Sequence, residues 1–109
     1  MSPEEAFDAL VQSYKGQRNV TAGKMFASYG LKVNGKIFAM LFKGSLVVKL
    51  PAARADQLAS TKGGEYFKLG KKVMKEWVTV HAPPGTGWLK IAEEAKDFVG
   101  GARPKRTKR

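Results

Sequence analysis

Phe7, Leu10, Val11 and Tyr14 recur at i, i+3, i+4 and i+7, the spacing that lines side chains along one face of a helix. The residues ahead of them supply its start. Ser2 can accept a hydrogen bond from the first turn, Pro3 suits the first helical position, and Glu5 completes a capping box. Gly16 ends the segment, and residues 17–23, bracketed by Arg18 and Lys24, read as a loop. The period then changes to two. Met25, Ala27, Tyr29, Leu31 and Val33 alternate with Ser28, Gly30 and Lys32, which predicts a half-buried strand. Asn34-Gly35 follows. Both residues tolerate positive φ, so the pair predicts a type I′ hairpin turn. Residues 36–43 form the second predicted strand, with Ile37, Ala39 and Leu41 on one face and Phe38, Met40 and Phe42 on the other. Apolar residues on both faces predict a central strand covered on both sides, or one that contributes to a partner surface. Lys43-Gly44-Ser45 turns the chain into a third strand carrying Leu46, Val48 and Leu50.

Pro51 opens a second helix with a weak apolar stripe of Ala55, Leu58 and Ala59. Residues 60–72 are glycine-rich and read as irregular, with Tyr66 and Phe67 pinning them to the core. Residues 74–80 predict a fourth strand, Val78 and Val80 facing one way, Trp77 and Thr79 the other. Ala82-Pro83-Pro84-Gly85 breaks it. A last helix starts near Thr86 and carries Trp88, Ile91, Ala92, Ala95 and Val99 at helical spacing, flanked by Leu89 and Phe98, before Gly100-Gly101 stops it. The expected order is α-β-β-β-α-β-α. It describes a single α+β domain over residues 1–100, an antiparallel sheet (a three-stranded meander plus a fourth strand) with helices packed on it. Residues 101–109 offer no apolar anchor and are expected to form a disordered basic tail.

Charge changes the picture most. Twenty Lys and Arg face nine Asp and Glu, a formal +11, and five of the basic residues are Arg103, Lys105, Arg106, Lys108 and Arg109. Without those five the remainder still carries +6. A field of this sign attracts polyanions by steering and counterion release. The chain has no Cys, which rules out disulfides, thiolate nucleophiles and cysteine zinc sites and favours a reducing, cytoplasmic setting. The acidic start lacks the apolar core of a secretory signal. The apolar run at residues 37–42 is far short of the roughly 20 residues of a membrane span, so no membrane partner is expected.

Candidate chemistry is sparse. His81 is the only histidine. No nucleophile or orienting carboxylate stands at useful spacing from it, and one ligand does not make a metal site. We read it as a strand-end residue and expect no metal and no cofactor. Glu93 and Asp97 lie at i, i+4, Glu93 within helical reach of Lys90 and Lys96. With Glu94 they read as a solvated face rather than a catalytic carboxylate pair. Gly85-Thr86-Gly87 lacks the pattern of a phosphate-binding loop and reads as a turn feeding the last helix. The densest basic cluster inside the domain is Lys68, Lys71, Lys72 and Lys75, interleaved with Tyr66, Phe67 and Trp77. Cations among aromatics suit phosphate contacts and base stacking. Together with Arg103, Lys105, Arg106, Lys108 and Arg109, these lysines are the candidate nucleic-acid contacts. Aromatic residues at such positions also serve simply as core, and exposed lysines as solubilising charge.

Three segments carry a resemblance. Met25-Phe26-Ala27-Ser28-Tyr29-Gly30-Leu31 opens a strand, Gly35-Lys36-Ile37-Phe38-Ala39 follows the hairpin turn, and Leu46-Val47-Val48-Lys49-Leu50 comes next. The series resembles the N-terminal domain of TfoX/Sxy-type competence regulators, as do Met74-Lys75-Glu76-Trp77-Val78 and the closing Trp88-Leu89, Ala92 and Ala95. It departs from the family pattern at Ala27 and Ser28, where glycines are common. In the competence regulators this domain is followed by a further C-terminal one, where here the basic run stands. The resemblance covers almost the whole chain and implies a fold like that of YjbR-type proteins, a group often labelled DNA-binding. It implies no enzymatic activity. Two readings of function follow. One is a regulatory module that binds nucleic acid weakly and non-specifically through the basic segment and tail. The other is a protein-interaction adaptor, self-associating or with a protein partner, using the two-faced strand at residues 37–42.

Overall fold

A computed structural model describes residues 2–17, 19–25, 28–81, 83 and 87–101. Helix α1 spans Pro3–Ser13 with its capping box formed: the Glu5 amide donates to Ser2 Oγ at 3.1 Å and the Ser2 amide to Glu5 Oε1 at 2.9 Å. Ala6, Phe7, Leu10 and Tyr14 are its buried stripe. Strands β1 (Val20–Met25), β2 (Ser28–Val33), β3 (Lys36–Phe42) and β4 (Ser45–Lys49) follow, then helix α2 (Ala52–Ala59), the hairpin of β5 (Gly64–Leu69) and β6 (Lys72–Val80), and helix α3 (Trp88–Gly100). The strands form one sheet in the order β1-β2-β3-β4-β6-β5, each neighbour antiparallel.

The α+β class and the single sheet with helices packed on it match the sequence reading, with two strands beyond the expected four. β1 takes residues 20–23 from the stretch read as loop together with Met25, read as the start of the first strand, which begins instead at Ser28; β5 lies in the stretch read as irregular. The element order is therefore α-β-β-β-β-α-β-β-α. Both unforeseen strands are edges. An edge strand pairs on one side only and tolerates the polar and glycine residues that hide it from periodicity. Gly64 shows why glycine is present: a Cβ there would lie 2.8 Å from Val78 Cγ1 and 3.0 Å from the Thr79 carbonyl oxygen. Asn34 and Gly35 have φ of 52° and 80°, and Lys43 and Gly44 have 50° and 81°, the signature of type I′ turns.

A β-bulge corrects the expected faces of β3. Leu31 pairs with Ala39, but Lys32 pairs with Ile37, so Phe38 is the extra residue. The bulge puts Phe38 and Ala39 on the same side, and both are fully buried. That side also receives Leu41, Leu46, Val48 and Val78, packed with Ala55 of α2 and with Trp88, Ile91, Ala92 and Ala95 of α3 in one core. Ile37 moves to the opposite side with Met40 and Phe42. All three helices thus cover one face of the sheet, and among the described residues no helix covers the other.

The carboxylates of α3 are not a simple solvated face. Glu94 Oε1 accepts from Arg54 Nε at 2.8 Å and Oε2 from Arg54 Nη2 at 3.1 Å, tying α3 to α2. Glu93 turns toward α1, where its Oε2 and the Tyr14 hydroxyl are both buried without a well-formed hydrogen bond. Lys96 Nζ lies 3.7 Å from Glu93, donates to Gln17 Oε1 at 3.2 Å, and sits 5.7 Å from the centre of the Tyr14 ring. Tyr14 packs edge-to-face on Phe38 at 5.7 Å. Burial first, then the neighbouring Glu93 and Asp97 carboxylates, hold the Tyr14 hydroxyl protonated above its ordinary value of 10.0.

Two predictions follow from this packing. Replacing Phe38 by Ala should lower the unfolding free energy by about 3–5 kcal/mol, and Ile37→Ala by less than half of that, as read from denaturant midpoints. The reverse ranking would remove the bulge. For Tyr14, the unfolded hydroxyl ionises at the ordinary value of 10.0 and the folded one only above it. Its contribution is therefore complete below that pH and lost as pH rises past it. The stability difference between the parent and Tyr14→Phe should shift against the parent across that alkaline range, measured by urea unfolding at stepped pH.

Candidate nucleic-acid interface

The hairpin of β5 and β6 has two parts. Near α2, Glu65 pairs with Thr79 and Tyr66 with Val78; beyond them the register jumps, and Phe67 pairs with Met74. Lys75, Glu76 and Trp77 are the residues skipped. Pairing of β6 with β4 runs from Thr79 to Trp77 and ends where the Leu50 amide donates to the Glu76 carbonyl at 2.8 Å. The remainder, residues 67–75, continues past β4 as a two-stranded ribbon. Its turn is tight, Leu69 pairing with Lys72 around Gly70, whose φ is 65°.

This ribbon is where Lys68, Lys71, Lys72 and Lys75 lie, all exposed. The sequence reading placed them in a loop entering a strand. They are instead on both strands and the turn of one hairpin, which gathers the four lysines on one ribbon. Of the interleaved aromatics, Tyr66 faces the helices and donates its hydroxyl hydrogen to Asp56 Oδ1 at 2.8 Å. Phe67 is buried, apart from the helix-side core, and meets Phe42 of β3 edge-to-face at 5.2 Å. Trp77 is half-buried on the open face. Arg103, Lys105, Arg106, Lys108 and Arg109 lie outside the described residues, as do Arg18, Phe26, Ala27, Ala82, Pro84, Gly85 and Thr86.

Register defines the open face. Met40, Val47, Thr79 and Glu65 form one row across β3, β4, β6 and β5, and Lys49 stands opposite Trp77 in the next. Lys49 Nζ is 5.9 Å from the centre of the Trp77 ring, and Lys43 Nζ is 5.5 Å from that of Phe42. Both distances fit a cation beside an aromatic face. Periodicity placed Trp77 and Thr79 together correctly. It missed Lys49 and Lys43, because their aromatic partners are set by strand register and a turn.

Charge divides between the two layers. The three helices hold Glu4, Glu5, Asp8, Asp56, Glu93, Glu94 and Asp97 against Arg54, Lys90 and Lys96. The strands and hairpin turns hold Lys24, Lys32, Lys36, Lys43, Lys49, Lys68, Lys71, Lys72 and Lys75 against Glu65 and Glu76. One layer is net negative by four and the other net positive by seven. His81 ends β6: its Nε2 lies 2.8 Å from Glu65 Oε2, its amide donates to Gly63 at 3.0 Å, and both side chains are exposed. Among the described residues, no group of His, Asp and Glu is arranged to hold a metal ion, and no helix is long and apolar enough to cross a membrane.

Among known protein families, the TfoX N-terminal domain matches residues 12–98. No curated protein and no solved structure matches the chain.

Proposed function

Because the chain belongs to the TfoX N-terminal domain family, we propose that it is a non-enzymatic cytoplasmic regulatory module that binds nucleic acid through its phosphates. The observation that carries this reading is the division of charge, acidic on the helical layer and basic on the sheet layer. Such a molecule presents its sheet side to a polyanion and keeps its helices away from it. Lys68, Lys71, Lys72 and Lys75 on the ribbon are the contacts, joined by Arg103, Lys105, Arg106, Lys108 and Arg109. Among the described residues we identify no helix or strand with a set of base-reading side chains, so binding is weak and largely blind to sequence.

A second reading, a protein-interaction adaptor, draws on Ile37, Met40 and Phe42, which lie half-exposed together on the open face. A partner retained after nuclease digestion and high salt would favour it.

The first reading makes a quantitative expectation. Affinity for a mixed-sequence duplex, measured by fluorescence anisotropy, should fall linearly with the logarithm of salt, with a slope of about 0.9 per phosphate neutralised. Replacing Lys68, Lys71, Lys72 and Lys75 together by Ala should weaken binding and lower that slope by up to about 3.6. An absence of binding at low salt would dismiss the reading.

A further inference from the structure

We propose that the open face of the sheet is a stacking platform for the unpaired bases of a single-stranded nucleic acid, with Trp77 as its central surface. This rests on the nucleic-acid reading above and makes it more specific. The two tryptophans have different environments. Trp88 is 2% exposed, inside the helix-side core. Trp77 is half-buried on the face that no described helix covers. A large flat ring left there offers a π surface that any base can lie against.

The cations decide what lies against it. Lys49 stands opposite Trp77 across the strands, and Lys43 adjoins Phe42. Each of these aromatics therefore has an ammonium group over its ring within 6 Å of the centre, a flexible cation that an arriving base displaces from the ring and that then meets the base's phosphate. Of the residues that the register puts on this face, the only carboxylate is Glu65, at the β5 edge and already beside His81. A second copy docking here would bury its own Lys43 and Lys49 in the same contact, where Glu65 is the one carboxylate that the register puts on the face, and such an excess of like charge is unfavourable. A duplex keeps its base faces inside the stack, so a broad sheet surface can meet only its backbone. An unpaired strand satisfies both features, aromatic and cationic. The ribbon lies at the margin of the same face, joined to it through the Phe42–Phe67 contact, so Lys72, which the register puts on the side of Phe67 and Met74, can follow the same strand.

The test is intrinsic tryptophan fluorescence of the full chain, titrated with a thymidine oligonucleotide and, separately, with a mixed-sequence duplex at the same salt. Trp88 is sealed in the core, so quenching reports Trp77. The oligonucleotide should quench the emission. Trp77→Ala should weaken its binding roughly ten-fold while leaving the duplex affinity unchanged, and Trp77→Phe should recover most of the loss. Should the Ala variant fail to fold, quenching of the parent protein still decides the matter. Binding of the oligonucleotide with neither quenching nor any effect of Trp77→Ala would overturn the proposal while leaving phosphate binding by the ribbon intact. No binding of either nucleic acid at low salt would overturn both. A dimer in sedimentation that Trp77→Ala dissolves, with no quenching by the oligonucleotide, would assign the face to a second copy and overturn the proposal.

Discussion

One extra residue in β3 decides how this molecule uses its apolar side chains. Without the bulge, strict alternation would put Ile37, Ala39 and Leu41 under the helices and leave Phe38 on the open face. With it, Phe38 and Ala39 both enter the core. Phe38 fills the space that α1 and α3 leave above the sheet and supports Tyr14 edge-on. Ile37 is released to the other face, beside Met40 and Phe42. A central strand that is apolar on both sides therefore does not need helices on both sides. Its second face keeps Val47 buried and leaves Ile37, Met40, Phe42 and Trp77 half-exposed around it, with no described helix above them.

The division of charge follows from the same one-sided arrangement. Helix positions facing away from the core must be polar, and carboxylates near the first turn of a helix gain from its dipole, as Glu4 and Glu5 do in α1. Glu94 ties α3 to α2 through Arg54. Strand positions that are not apolar, and the tight turns between strands, are taken by lysine instead. A lysine stem can lie along apolar surface while its ammonium reaches water, which suits Lys49 beside Trp77. Lysines along strands also discourage edge-to-edge pairing of sheets. That structural use of lysine accounts for some of the excess charge. It does not account for the four gathered on one ribbon.

How much of this could be read in advance depended on the range of the interaction responsible. The capping box of α1, the Asn34-Gly35 turn and the α3 stripe are local patterns, and each stands where the sequence put it. β1 and β5 were not legible, because Thr21, Gly23 and Gly64 break alternation at edges that need no second face. The bulge was hidden too, since it exists only in the offset between Leu31 and Ile37. Likewise the four ribbon lysines were legible as a cluster because they are neighbours in sequence. The pairing of Lys49 with Trp77 joins residues far apart in the chain and depends on register. Glu94 was read as solvated for the same reason: its partner, Arg54, belongs to another helix, whereas Glu93 reaches Lys96 within its own helix as the spacing predicts.

Two irregularities, the bulge at Phe38 and the skipped residues Lys75, Glu76 and Trp77, act together on the open face. The first brings Ile37 to that face beside Met40 and Phe42. The second breaks the β5–β6 register, so that Phe67 meets Phe42 and residues 67–75 run on as a ribbon. A two-stranded ribbon has little stability of its own, and one anchored only by its backbone would splay its lysines through solvent. The contact between Phe42 and Phe67 ties it to the sheet beside the aromatic face. Fixing the ribbon's backbone before a ligand arrives lowers the entropy lost on binding. Cation and aromatic are thus held on one part of the molecule by the packing of two phenylalanines.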